Sequence, residues 1–203
     1  MEKMKITASR LDKFFRILHT CTAIAAIAAL VGIAIILAAF LFRISPDVIG
    51  TGYSSIDIGF LTLNIAPQYS PDQHTVLLVV AVELVFAFVL ALACRRFIDC
   101  LRSILSPMIQ GEPFQAAASR SLADLAKLSI VIGVLANAAV LTSQAMTVFA
   151  LNLPELLISE KITHIQGNFT ADFSFLAFSA VLFLLSYVFR YVEQLQQLSD
   201  ETL

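Results

Sequence analysis

Four apolar runs dominate the hydropathy pattern. Thr20 to Phe42 holds 23 residues and no charge, and Val76 to Cys94 holds 19 with a single charge, Glu83. Leu128 to Leu151 holds 24 with none, and Phe173 to Phe189 holds 17 with none. A helix rising ~1.5 Å per residue needs about 20 apolar residues to cross a hydrocarbon core, within a range of ~17–25. Each run therefore predicts a transmembrane helix, with boundaries near 20–42, 76–94, 128–151 and 173–189. The fourth is short, but it can continue through Tyr191 and Val192 while Arg190 reaches the headgroups along its own aliphatic stem. The first run exceeds the ~7–15 residues of a secretory signal core and follows a basic segment, so it reads as an uncleaved span.

The segments between the runs carry patterns of their own. Leu11, Phe14, Phe15 and Leu18 fall at helical spacing beside Arg10, Lys13 and Arg16. They predict either an interfacial helix leading into the first span or an extension of that span. The central segment 95–127 is amphipathic, with Phe97, Ile98, Leu101, Ile104, Leu105, Met108 and Ile109 on one stripe. Gly111-Glu112-Pro113-Phe114 interrupts it, Gly suiting a helix end and Pro the first turn of the next helix. Leu122, Leu125 and Leu128 then lead into the third run, so the segment predicts a helical hairpin with its tip at Gly111. In the loop 43–75, Ser54 to Ile65 is strand-like. There Ile56, Ile58 and Phe60 alternate in one phase and Leu61, Leu63 and Ile65 in the opposite one, which suggests a bulge or twist. A small β-sheet joining this loop to the loop 152–172 is one expectation; two irregular loops over the helix ends are the other.

Composition agrees with the pattern. The 203 residues are 59% hydrophobic and 14% charged, against ~45–50% and ~25% for soluble domains. The net charge of -2 offers no broad basic face for a nucleic acid. Placement of the charges says more than their sum. Lys3, Lys5, Arg10, Lys13 and Arg16 precede the first run; Arg95, Arg96, Arg102, Arg120 and Lys127 lie between the second and third; Arg190 follows the fourth. Only Arg43 and Lys161 lie in the other two loops. Eleven cations against two predict that both termini and the central hairpin are cytoplasmic. The expected fold is an all-α membrane protein: one domain over 1–203, a four-transmembrane-helix bundle with a cytoplasmic helical hairpin and a candidate extracytoplasmic β-sheet.

Two elements carry a family resemblance. One is Gly111-Glu112-Pro113-Phe114 followed by a Leu-rich helix into a span. The other is the tail Phe189-Arg190-Tyr191, Glu193-Gln194-Leu195-Gln196 and Ser199-Asp200-Glu201-Thr202-Leu203. In this order the chain resembles the bacterial four-span proteins grouped as domain of unknown function 2975. Val192 departs from the small residue, often Gly, that the resemblance leads one to expect in the tail. The resemblance implies a multi-pass protein of the bacterial inner membrane and supplies no activity or catalytic residue. Relatives are often encoded beside small helix-turn-helix regulators, which points toward regulation.

Candidate chemistry is sparse. Glu83 is the one charge inside an apolar run, and a carboxylate there costs ~2.5–3.5 kcal/mol on insertion scales. It lies seven residues from the outer end of its run, and Gln144 lies at matching depth in the third. Ser143 and Ser179 fall near the same level, so Glu83, Gln144, Ser143 and Ser179 form a candidate buried polar cluster. Three readings of Glu83 stay open: a hydrogen bond across helices, a proton- or cation-handling group, and a contact with a partner's transmembrane helix. Asn137 reads as interhelical glue, and the small residues from Ala23 to Ala29 with Gly32 as a close-packing stripe. Cys21, Cys94 and Cys100 lack a C-x-x-C spacing and read as structural thiols on the reducing side. His74, His164, Asp72 and Asp172 could converge on a metal, but solvated loop residues are the better reading. His19 reads as an interfacial residue. No phosphate-binding Gly loop, metalloprotease motif or Ser/His/Asp constellation is present, so no cofactor, metal site or catalytic residue is expected. The leading expectation is a non-catalytic membrane module that binds or regulates another membrane or cytoplasmic protein, through the hairpin tip Gly111, Glu112, Pro113, Phe114 or through the outer loops; a homo-oligomer is compatible. The alternative is a small transporter or channel subunit using Glu83.

Overall fold

The computed structural model describes residues 2–42, 55–58, 61–64, 73–110, 116–150 and 171–201. Among them are four long helices: α1 Glu2–Leu41, α2 Gln73–Gln110, α3 Ala116–Ala150 and α4 Ser174–Glu201. Two short strands, β1 Ser55–Ile58 and β2 Leu61–Asn64, lie between α1 and α2. Each of the four helices is long and apolar enough to cross a membrane, with candidate spans Ser9–Leu41, His74–Ser106, Ala118–Met146 and Ser174–Leu195. That is the signature of a multi-pass membrane protein.

The helices outrun the apolar runs. α1 continues without a break from its basic N-terminal segment into the first run, so the amphipathic stretch around Phe14 is an extension of the span rather than a separate interfacial helix. Thr20 and Thr22 do not interrupt it, because their hydroxyls donate back to the carbonyls of Arg16 (3.0 Å) and His19 (2.9 Å). α2 carries the second run and the Phe97–Ile109 stripe in one helix, and α3 joins Leu122 and Leu125 to the third run. α2 ends at Gln110 and α3 begins at Ala116; the tip residues Gly111, Glu112, Pro113 and Phe114 lie outside the described residues.

β1 and β2 pair antiparallel, Ile56 opposite Leu63 and Ile58 opposite Leu61. The phase reversal within Ser54 to Ile65 is thus the passage from one strand to its partner, not a bulge in a single strand. The sheet has two strands, and the loop 152–172 lies outside the described residues except for its last two positions.

The chain divides into two compact units. The first comprises 1–27, 88–137 and 172–203. Its core is Leu122, Leu125 and Ala126 of α3 with Leu182 of α4, walled by Phe97, Cys100, Leu101 and Ile104 of α2 and by Phe183 and Phe189 of α4. The α2 residues recur at i, i+3, i+4 and i+7, the spacing that turns one helix face toward its neighbours. Polar contacts flank this core. Arg102 Nε donates to Asp12 Oδ1 at 3.0 Å, joining α2 to α1, and Ser103 Oγ donates to Ser121 Oγ at 2.8 Å, joining α2 to α3. Gly133 of α3 is a position of close approach: a Cβ there would run into the ring of Phe175 on α4.

The second unit comprises 28–87 and 138–171. Here α1 meets α2 at Gly32, where a Cβ would lie 2.9 Å from Leu84 Cδ1. Ala29, Ile36 and Ala39 of α1 are buried, as are Val76, Leu77 and Val79 of α2. In both units many large apolar side chains face outward, among them Ile24, Ile27, Ile35 and Leu37 on α1 and Phe178, Leu184 and Val188 on α4. In water that surface would drive aggregation; against lipid tails it needs no partner.

Candidate functional site

The residues singled out by intramembrane polarity separate into distinct environments. Glu83 on α2 and Ser143 on α3 meet in the second unit, the hydroxyl donating to Glu83 Oε1 at 2.7 Å. Glu83 is exposed, Ser143 half-buried and the adjacent Gln144 exposed. Depth along the helices predicts Gln144 as the partner, but successive residues on a helix differ by about 100° in direction. That rotation gives Glu83 the hydroxyl one position earlier. Glu83 Oε2 has no hydrogen-bond partner among the described residues, and none joins Gln144 to Glu83. The pair is therefore not the buried cluster expected; it is a polar patch on an apolar exterior.

Ser179 belongs to the first unit. It is 2% exposed, and its hydroxyl has no partner among the described residues. Asn137 forms a more elaborate contact. Its Nδ2 donates to the carbonyls of Gly133 (2.9 Å) and Asp172 (2.8 Å), while its Oδ1 accepts the amide N–H of Asp172 (2.8 Å). One side-chain amide thus satisfies both backbone groups of the residue that leads into α4. Asp172 in turn accepts the Ser174 amide N–H at 2.8 Å and the Ser174 hydroxyl at 2.9 Å, an Asx-type turn that starts the helix. These two bonds hold the Asp172 carboxyl below its ordinary range.

The histidines and cysteines take modest positions. His19 Nε2 accepts from Arg95 Nε at 3.0 Å and lies 3.3 Å from Asp99 Oδ1. The His74 ring packs on Phe40, centroids 5.8 Å apart. His164 and Asp72 lie outside the described residues, and no group of three His, Cys, Asp or Glu side chains converges at metal-binding spacing among the described ones. Cys21, Cys94 and Cys100 are free thiols.

One constellation was not visible along the sequence. In the first unit a half-open cavity of about 410 Å³ is lined by Ser119, Arg120 and Ala123 of α3 and by Ser186, Arg190, Glu193 and Gln194 of α4. Ser186 Oγ donates to the Ser119 carbonyl at 2.8 Å, and Ser119 Oγ donates to Glu193 Oε2 at 3.5 Å. Arg120 enters a sequence reading only as a member of the cation tally, and Arg190 as a member of that tally and a residue reaching the headgroups from the fourth run. Their convergence depends on α3 and α4 running past each other, which no local pattern encodes. No protein-family model, no curated protein and no solved structure matches this chain.

Proposed function

We propose that this protein is a non-catalytic membrane module whose role is to bind another membrane protein. The observation that carries this reading is the outward-facing Glu83–Ser143 pair. A carboxylate within a span is expensive to leave against lipid. Here it has one intramolecular bond and one oxygen unmatched among the described residues. A partner's transmembrane helix bearing a hydroxyl, amide or cationic group would complete the set. The cation distribution supports a bilayer orientation with both termini cytoplasmic. In that orientation the α2–α3 connection is a cytoplasmic hairpin and the β1–β2 ladder belongs to the extracytoplasmic side. The resemblance to domain of unknown function 2975 supports a bacterial inner-membrane setting and a regulatory role.

Crosslinking in the native membrane followed by purification of the tagged chain tests this reading. A discrete partner should be recovered, and E83A should reduce its yield by about tenfold, as expected for loss of a ~1–2 kcal/mol interhelical contact. E83Q, which keeps hydrogen-bonding capacity, should retain part of it. Undiminished recovery with both variants would remove Glu83 from the interface. Ion or solute flux in proteoliposomes that disappears with E83A would favour the transporter reading instead.

A further inference from the structure

The cavity between α3 and α4 has a position and a charge balance that specify a ligand. Arg120 lies two residues inside the start of the candidate span Ala118–Met146, and Arg190 lies in the last turns of Ser174–Leu195. The hydrogen bond from Ser186 to the Ser119 carbonyl sets these two helix ends at the same level. Both arginines line the cavity, and neither makes an ion pair among the described residues, although Glu193 shares the same wall.

We propose that this cavity binds the headgroup of an anionic phospholipid, with Arg120 and Arg190 gripping the phosphodiester. Guanidinium forks match phosphate oxygens in geometry and carry their charge at any physiological pH. Basic pockets between transmembrane helices, at the level where the helices leave the hydrocarbon, are placed to capture acidic headgroups while the acyl chains lie along the helix exteriors. Val131 and Val134 of α3, exposed about three and four turns beyond Arg120 on the same side of that helix, offer such an exterior. Two guanidiniums against one carboxylate leave the site with one net positive charge. That balance fits a phosphodiester lipid of net charge −1 with a hydroxyl-bearing headgroup, whose hydroxyls Glu193 and Gln194 can accept. The Glu193 carboxylate disfavours a doubly charged phosphomonoester. This site is separate from the Glu83 patch and stands without it.

The test uses the full chain in nanodiscs containing equal amounts of phosphatidylglycerol, phosphatidylethanolamine and phosphatidylcholine, with retained lipid read by native mass spectrometry. Phosphatidylglycerol should be retained at least about tenfold over the other two, and R120Q/R190Q should lower it to their level while K13Q leaves it unchanged. Equal retention of the three lipids by the wild-type chain would overturn the proposal, as would full retention by R120Q/R190Q. Displacement of the lipid by millimolar inorganic phosphate or glycerol phosphate would assign the cavity to a soluble anion and overturn the lipid reading. The wild-type lipid preference and the competition need no variant, so they decide the matter even if R120Q/R190Q does not fold.

Discussion

Replacing Asn137 by Ala isolates the contact that ties α3 to the start of α4. The substitution removes three hydrogen bonds, but they do not weigh equally. The Gly133 carbonyl keeps its helical N–H partner inside α3, so losing the Nδ2 donor costs little there. The Asp172 N–H and carbonyl lose the partners that Asn137 supplies at 2.8 Å each. Interhelical polar contacts in membrane proteins average ~0.6 kcal/mol and reach ~1.7, while hydrogen bonds in water-soluble proteins contribute ~0.5–1.5. Two such bonds give about 1–3 kcal/mol, with ~2 as the working value. At ~2–4 °C per kcal/mol for a chain of this size, the midpoint of thermal unfolding in detergent should fall by about 4–8 °C. N137D should be no better than N137A, because it keeps the acceptor for the Asp172 N–H but turns an oxygen toward the Asp172 carbonyl. A midpoint for N137A within ~1 °C of wild type would show that Asn137 does not hold the α4 entry.

Two further predictions follow from the same unit. G133A should destabilise the protein by ~1–3 kcal/mol, since its methyl group meets the Phe175 ring; in a double-mutant cycle F175A should recover most of that loss, and additive effects would refute the contact. The Asp172 carboxyl is held below its ordinary value of 3.8 by the Ser174 amide and hydroxyl. A depressed folded-state value means the stabilisation is fully present above pH ~4 and is lost as pH falls through the lowered value. D172N should therefore lower stability at pH 7, cost less at pH 3, and so flatten the acid limb of the stability–pH profile, read by denaturant titration at the two pH values.

The spans were legible in the sequence because lipid leaves a chain one local solution. Each backbone polar group must pair within its own helix, so a run such as Leu128 to Leu151 announces itself. Their ends were not legible. α3 begins twelve residues before that run and α1 reaches back to Glu2, because Lys, Arg and Ser are adequate helix formers once packing selects the helix. Depth was legible and direction was not: counting residues brings Glu83, Ser143 and Gln144 to one level, and only the rotation of α2 and α3 chooses Ser143. The Asp172 partners of Asn137 were out of reach altogether, since they are backbone atoms 35 residues away. Arg120 and Arg190 likewise gain meaning only when two distant helix ends lie side by side.

The α3–α4 pair is fastened at two separated points, Ser186 to the Ser119 carbonyl and Asn137 to Asp172. On α3 these points are 18 residues apart, about 27 Å at the helical rise, close to the thickness of the hydrocarbon itself. Sliding one helix past the other by a single turn, ~5.4 Å, would break both fastenings together. The interdigitation of Phe175 with Gly133 blocks the same displacement sterically. Piston motion of this pair is thereby opposed at both fastenings, whereas a tilt of the two helices together leaves both intact.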